Sequence, residues 1–304
     1  MKRGIAALAL LAGLAAQAAD VRVALVKTAE ADSWQALTVS GGAWDRLKLN
    51  HTAVLVSHPA GDFLFDGGLG RKAPEQVAAD MPWWAKPFFR FGPICAAADQ
   101  LAGRPIPRLI LSHGHWDHAS ALADFPAAEV WLTAAERSFV QQAKPPVVLP
   151  SQVGDPAIRW KTYALDGPAY RGYPASLDLY GDGSAVLVPM PGHTPGAVGL
   201  FARLGSGRTL FFVGDTVWQR AALDGARGKS WLARQLADDD ADATARQIAR
   251  LSQLAAEPGL TIVPAHDAAV QDELGYYPDW VDEPKQAAGA ACPGDGSQSS
   301  AASR

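Results

Sequence analysis

The chain contains only seven histidines, and three of them fall within six residues, His113-Gly114-His115-Trp116-Asp117-His118. Imidazole and carboxylate groups together suit a borderline divalent ion such as zinc. Several of them buried side by side without a cation would be poorly satisfied. Three more residues of the same chemical types stand just past short apolar runs: His193 in Pro191-Gly192-His193-Thr194-Pro195-Gly196, Asp215 after Gly214, and His266 after Pro264-Ala265. Side chains at successive strand ends along one sheet edge can meet in space, so the seven positions His113, His115, Asp117, His118, His193, Asp215 and His266 read as one metal site. His51 and His58 fit this scheme less well.

The elements that must position these groups are mostly strands. Val21–Val26, Thr52–Ser57 and Phe63–Phe65 are β-branched or aromatic runs closed by turn residues. Leu109–Ser112 leads into His113, Ala185–Val188 into the His193 loop, Thr209–Val213 into Asp215, and Leu260–Val263 into His266. Glu129–Leu132 is a further strand, with Thr133 set to cap a helix begun at Ala134-Ala135-Glu136. Asp238-Asp239-Asp240 opens a second helix with an expected apolar face of Ala245, Ile248, Leu251, Leu254 and Ala255. Between 71 and 99 the rhythm breaks. Trp83, Trp84, Phe88, Phe89 and Phe91 fall in a Pro-punctuated stretch that reads as irregular, either packed on the core or capping a pocket.

The composition, 48% hydrophobic and 19% charged over 304 residues, suits a globular protein with a substantial core. A net charge of -4 gives no basic surface for nucleic acid or for an anionic membrane. Lys2 and Arg3, the apolar run Ile5–Ala16 and the small-x-small site Ala16-Gln17-Ala18 read as a signal peptide over residues 1–19. This implies a periplasmic or secreted protein with no stable membrane insertion after cleavage. The domain then spans 20–284, and the Ala/Gly/Ser/Gln-rich residues 285–304 read as a disordered tail. Cys95 and Cys292 could pair in an oxidising compartment. Neither stands near the histidines, which argues against a thiolate metal site or a Cys nucleophile.

The motif order, HxHxDH, then Pro-Gly-His-Thr-Pro-Gly, then Gly-Asp-Thr, then Pro-Ala-His, resembles the metallo-β-lactamase superfamily over roughly Val21 to Asp272. The resemblance implies an α/β fold, the four-layer αβ/βα sandwich, with two Zn2+ ions (or manganese, iron or cobalt) at one edge of two facing sheets. It assigns His113, His115 and His193 to one ion and Asp117, His118 and His266 to the other, with Asp215 bridging. Asp66, in a characteristic Asp-Gly strand end, is expected to orient one ligand. The implied chemistry is hydrolysis of an ester-like bond by a hydroxide held between the ions, with Asp117 also carrying the proton from water to the leaving group. The substrate is expected to be a small, apolar lactone, carboxylic ester or phosphotriester. Trp83, Trp84, Phe88, Phe89, Trp116 and Trp218 are the candidate walls of its pocket.

Asp215 separates subfamilies. Lactonases, glyoxalase II enzymes, ribonuclease Z and organophosphate hydrolases carry such a bridging Asp, whereas true β-lactamases of the superfamily usually lack it. Export counts against the two whose substrates are intracellular, glyoxalase II and ribonuclease Z. N-acyl-homoserine lactone lactonases and methyl parathion hydrolase-like enzymes remain. Two departures are visible. Trp218 stands where lactonases have a Tyr that holds the substrate carbonyl, and an indole N–H cannot copy a phenol's position or acidity. Ala119-Ser120 follow the cluster where relatives often have Gly. The competing readings are a β-lactam hydrolase and a non-catalytic metal- or ligand-binding protein. The complete ligand set argues against a decayed site. Oligomeric state is left open by the sequence.

Overall fold

A computed structural model describes residues 21–285, so the expected signal peptide, Cys292 and all but Lys285 of the expected tail lie outside the described residues. Two sheets carry the fold. The first holds β1 (Arg22–Trp34), β2 (Arg46–Ser57), β3 (Phe63–Phe65), β4 (Arg108–Ile110), β5 (Glu129–Thr133) and β6 (Arg159–Tyr163), in that spatial order. The second holds β7 (Leu177–Asp178), β8 (Ala185–Pro189), β9 (Val198–Arg203), β10 (Thr209–Phe212) and β11 (Leu260–Val263), adjacent in reverse order.

Period-two alternation decides which face each side chain takes. In β1, Val23 and Leu25 pack between the sheets against Leu187, Leu200 and Phe212, while Ala24 and Val26 face the other way. That outer face is covered by helical segments, including Ala134–Gln142 through Val140. The outer face of the second sheet, with Val186, Phe211 and Ile262, packs on Ile248 and Leu251 of the helix Ala241–Leu254. The result is helix, sheet, sheet, helix, the expected four layers. Each fully buried Leu, Val or Phe contributes about 1.5–3 kcal/mol of transfer free energy.

Four local expectations are corrected. β1 and β2 extend well beyond Val26 and before Thr52 as a long hairpin. Its outer half is polar, with Lys48 bonded to Glu30 and Asp32 across the strands, so hydrophobic patterning does not reveal it. The strands β6, β7 and β9 lie outside the expected set, β6 because Arg159–Tyr163 is a half-exposed edge with little apolar pattern and β7 because it is only two residues long. The helix after the triple Asp begins at Ala241, with Asp240 as its cap accepting from Ala243 N at 2.8 Å. Its buried face is Ala243, Thr244, Ile248 and Leu251, and Ala245 and Ala255 are exposed. Small alanines bury little, so the two large residues set the face. Within 71–99, Ala73–Asp80 is a regular helix. Pro74 lies in its first turn, where a missing N–H costs nothing. Thr133 does cap Ala134–Gln142, accepting from Glu136 N at 3.2 Å.

Candidate metal centre

Every sequence-derived candidate ligand emerges at one end of the two sheets. His113 and His115 follow β4, and Asp117 and His118 lie in the short helix Trp116–Ala119. His193 lies in the β8–β9 loop, Asp215 just after β10 and His266 just after β11. All seven are buried, none more than 9% exposed. Three sets of donor atoms lie within 4.8 Å of one another: His113, His115 and His193; His113, His118 and Asp215; and His51, Asp117 and His266. Asp215 links the halves. Its Oδ1 is 3.2 Å from His118 Nε2 and 3.1 Å from His266 Nε2, and its Oδ2 is 3.6 Å from His193 Nε2.

The far nitrogen of most of these rings is held from behind. Asp66, at φ 61°, accepts from Ser112 N through Oδ1 at 2.6 Å and faces His118 Nδ1 through Oδ2 at 2.8 Å. His266 Nδ1 donates to the Asn50 carbonyl at 2.7 Å. His193 Nδ1 lies 2.7 Å from Asp238 Oδ1, and His113 Nδ1 lies 3.0 Å from Ser112 Oγ. With those protons turned outward, the Nε2 lone pairs point into the centre. Lys229 Nζ, fully buried, donates to the Asp215 carbonyl at 2.6 Å and to Asp238 Oδ1. The two His-bearing loops are tied together by buried Glu136, which accepts from Gly114 N at 2.7 Å, Thr194 Oγ1 at 2.7 Å and Gly196 N at 3.0 Å. Gly192 takes φ 141°, and a Cβ there would meet Thr244 N at 2.4 Å, so only glycine lets the loop dock on the helix start.

The electrostatics call for cations. Burial, reinforced by neighbouring imidazoles, drives His113 and His115 well below the ordinary His range. Burial alone would lower His118 too, but the Asp66, Asp215 and Asp117 carboxylates outweigh it and hold it well above that range. Asp117 and Asp215 are both driven below the usual carboxylate range, their burial outweighed by the surrounding imidazoles. Three buried donor atoms, His51 Nδ1, His118 Nε2 and Asp215 Oδ1, make no hydrogen bond. His113 Nε2 and His193 Nε2 face each other at 3.1 Å. Directed nitrogen lone pairs and carboxylate oxygens without donors fit divalent metal ions.

The centre forms the floor of a cavity of about 330 Å³. Its walls come from Trp34 and Leu37, from Phe88 and Phe89, and from Leu232 and Leu236 of the helix Trp231–Ala237. Of the expected pocket residues, Phe88, Phe89, Trp116 and Trp218 line it. Trp83 and Trp84 do not. They stand 84% and 44% exposed, because the chain turns at Pro82 and carries them outward before Pro87 returns it to the mouth. Phe91 packs beside Trp116 behind the wall, with ring centroids 5.9 Å apart. Trp218 donates its N–H to Asp215 Oδ2 at 2.8 Å, so that group serves the carboxylate rather than the cavity.

Four side chains at the centre are not marked by the sequence pattern: His51, Glu136, Lys229 and Asp238. His51 was set aside because it follows no strand end; it lies within β2. The available signal was a lone histidine just ahead of the predicted strand Thr52–Ser57. His58 is elsewhere, paired with Asp182 at 3.1 Å and stacked on Tyr180. Cys95 is disulfide-bonded.

Comparison with known proteins adds independent findings. The family model described as the metallo-beta-lactamase superfamily matches residues 47–266. A protein of Mycobacterium tuberculosis named as a probable metallo-hydrolase is 33% identical over 172 residues, 53% of this chain and 55% of its own length. The chain thus spans about half the length of that relative. The N-acyl homoserine lactonase AttM of Azorhizobium caulinodans is 26% identical over 247 residues, 73% of this chain and 85% of that protein. Among solved structures, AiiA of B. thuringiensis with bound N-decanoyl-L-homoserine superposes with a TM-score of 0.66 at 16% identity, covering 87% of this chain and all of that one. At that identity the likeness speaks for the fold alone.

Proposed function

Because this chain belongs to the metallo-β-lactamase superfamily of metal-dependent hydrolases, we propose that it is an exported dinuclear enzyme that cleaves an apolar ester-like substrate, a lactone first and an aryl ester or phosphotriester second. The observation that carries the reading is the convergence of His113, His115, His193, Asp117, His118, His266 and Asp215 at one end of the sheets, with His115, Asp117, Asp215 and His266 lining one apolar-walled cavity. Likeness to AttM lactonases supports the lactone. The Cys95 disulfide supports an oxidising compartment.

In this reading His113, His115 and His193 hold one ion, Asp117, His118 and His266 the other, and Asp215 both. Bound ions of this kind supply a water activated near neutral pH and a Lewis acid for the substrate's carbonyl or phosphoryl oxygen. The chain's own residues do the rest. The apolar walls take the substrate's acyl or aryl part and keep bulk water out. Asp117 faces the cavity with Oδ2 3.3 Å from His266 Nε2, placed to take the proton of the attacking water and return it to the leaving alkoxide. Trp218 holds Asp215 in one rotamer.

The test is elemental analysis of the purified protein, then assays on a long-chain N-acyl homoserine lactone, an aryl ester, a phosphotriester and a cephalosporin, each with and without chelator. Two ions per chain with chelator-sensitive lactone or ester turnover is expected. Preference for the cephalosporin would transfer the reading to β-lactams. Two bound ions with no turnover on any substrate would leave a metal- or ligand-binding protein.

A further inference from the structure

We propose that His51 is an additional protein donor to the second ion, completing a set of His51, Asp117, His118, His266 and Asp215. The proposal rests on the dinuclear reading above. It enlarges the ligand set that the strand-end motifs define.

The first observation is placement. His51 is 7% exposed and lines the cavity floor beside Asp117 and His266. Its Nδ1 is 3.3 Å from Asp117 Oδ2, and its ring meets the His266 ring edge-on with centroids 5.2 Å apart. The three donor atoms, like those of His113, His115 and His193, all lie within 4.8 Å of one another.

The second observation is that Nδ1 is buried and makes no hydrogen bond. A histidine satisfied as part of a core would have found a partner, since a buried unpaired nitrogen costs about 1–3 kcal/mol.

The third observation is that the backbone is built to aim it. The β1–β2 register shifts between Lys27 and Ala29, opposite His51 and Thr52. The bulged residue, Thr28, donates through Oγ1 to the His51 carbonyl at 2.8 Å and accepts from Leu69 N at 2.9 Å. The bulge bends β1 at this point, and the Thr28 hydroxyl ties the His51 carbonyl to it. The next residue back, Asn50, presents its carbonyl to His266 Nδ1. Two successive residues of β2 therefore serve the same ion, one by orienting a ligand and one as a ligand.

The consequence concerns metal choice. The first ion has three imidazoles and a shared carboxylate, which suits four-coordinate zinc. The second would have three imidazoles and two carboxylates. Five protein donors favour ions that accept five or six ligands, such as manganese, iron or cobalt, over tetrahedral zinc.

The experiment is a competition titration of metal-free protein with Co2+, following the visible absorption of each ion, for the native chain, His51→Ala and His51→Gln. The expected result is two ions in each case, an unchanged first affinity, and a second affinity weakened at least about tenfold, the lower end of what losing a supporting partner costs. The second-site spectrum should also intensify as coordination falls. Free imidazole should restore the His51→Ala spectrum and not that of His51→Gln. The unchanged first site reports that the variants are folded. A second affinity and spectrum identical in all three proteins would overturn the assignment of His51 and leave the dinuclear reading intact. Fewer than two ions in the native chain would overturn both.

Discussion

Lys229→Met tests whether the buried ion pair behind His193 and Asp215 holds the first half of the centre. Lys229 and Asp238 side chains are both 0% exposed, so solvent screening does not reduce their interaction. Methionine keeps most of the stem volume, so the change is mainly the loss of a charge. It leaves the Asp238 carboxylate buried with only His193 Nδ1–H, 2.7 Å away, and leaves the Asp215 carbonyl without its donor. Removing one partner of a buried pair costs about 3–5 kcal/mol. At about 2–4 °C per kcal/mol for a chain of this size, the melting midpoint of the metal-free protein should fall by about 6–20 °C. The double variant Lys229→Met/Asp238→Leu removes the stranded charge, and most of that loss should return. His193 would still lack the acceptor that fixes its tautomer, so the first-ion affinity of the double variant should stay about 10–100-fold weak. Calorimetry of metal-free protein and a zinc competition titration separate the two effects. A single variant that melts within about 2 °C of the native chain, no more than the shift for 1 kcal/mol, would refute the reasoning. A double variant with native metal affinity would refute the role given to Asp238.

Three further outcomes are expected. Asp117→Asn should lower kcat by about 10²–10⁴-fold while two ions remain bound, as elemental analysis will show; equal losses of metal and of rate would remove its proton-carrying role. Burial raises Glu136 to about 6, above its ordinary 4.5, so the folded chain binds that proton more tightly than the unfolded chain. Stability from this group is therefore present below pH 4.5 and lost as pH rises through about 6, a change of about 2 kcal/mol. In urea unfolding of metal-free protein, the native chain should lose that much relative to Glu136→Gln between those limits, and parallel pH profiles would contradict it. Leu236→Asp puts a carboxylate into the apolar wall. It should cut kcat/KM at least about tenfold for a long-chain lactone, about 1.4 kcal/mol, and far less for a short-chain one. Equal effects on both would place the acyl chain elsewhere.

The strand-end ligands were legible because metal binding demands scarce residue types at turns, and scarcity makes clusters visible. The sandwich followed from the order of those turns and from apolar runs such as Ala185–Val188, which buries both faces and shows no polar interruption. Hydrophobicity does not mark the outer hairpin half, where Glu30, Asp32 and Lys48 pair across strands in solvent. His51 was hidden for that reason. It stands where the polar hairpin meets the apolar strand, and its direction depends on a bulge opposite, at Thr28, that no local pattern in β2 encodes. Asp238 was hidden by a plausible alternative, since three aspartates before a helix read equally well as caps. Only Asp240 caps; Asp238 turns inward to Lys229 and His193.

These missed residues share a physical logic. An imidazole binds a metal better when its second nitrogen is held by a rigid partner. Asp66 is locked by Ser112 N, Asp238 by Lys229, and the Asn50 carbonyl by the β1–β2 ladder, with Asn50 Nδ2 donating to Tyr276 at 2.7 Å. The histidines are therefore aimed before any ion arrives, with buried Asp117 and Asp215 already charged between them. The adjacent carboxylates raise His118 and His266 above the ordinary His range, which favours their protonated forms in the metal-free protein. An ion competes with those protons, so metal binding should stabilise the fold and grow stronger as pH rises. His51 Nδ1, like His118 Nε2, is buried without a hydrogen bond. The two nitrogens lie 3.3 Å from Asp117 Oδ2 and 3.2 Å from Asp215 Oδ1, an arrangement that a cation between them would complete.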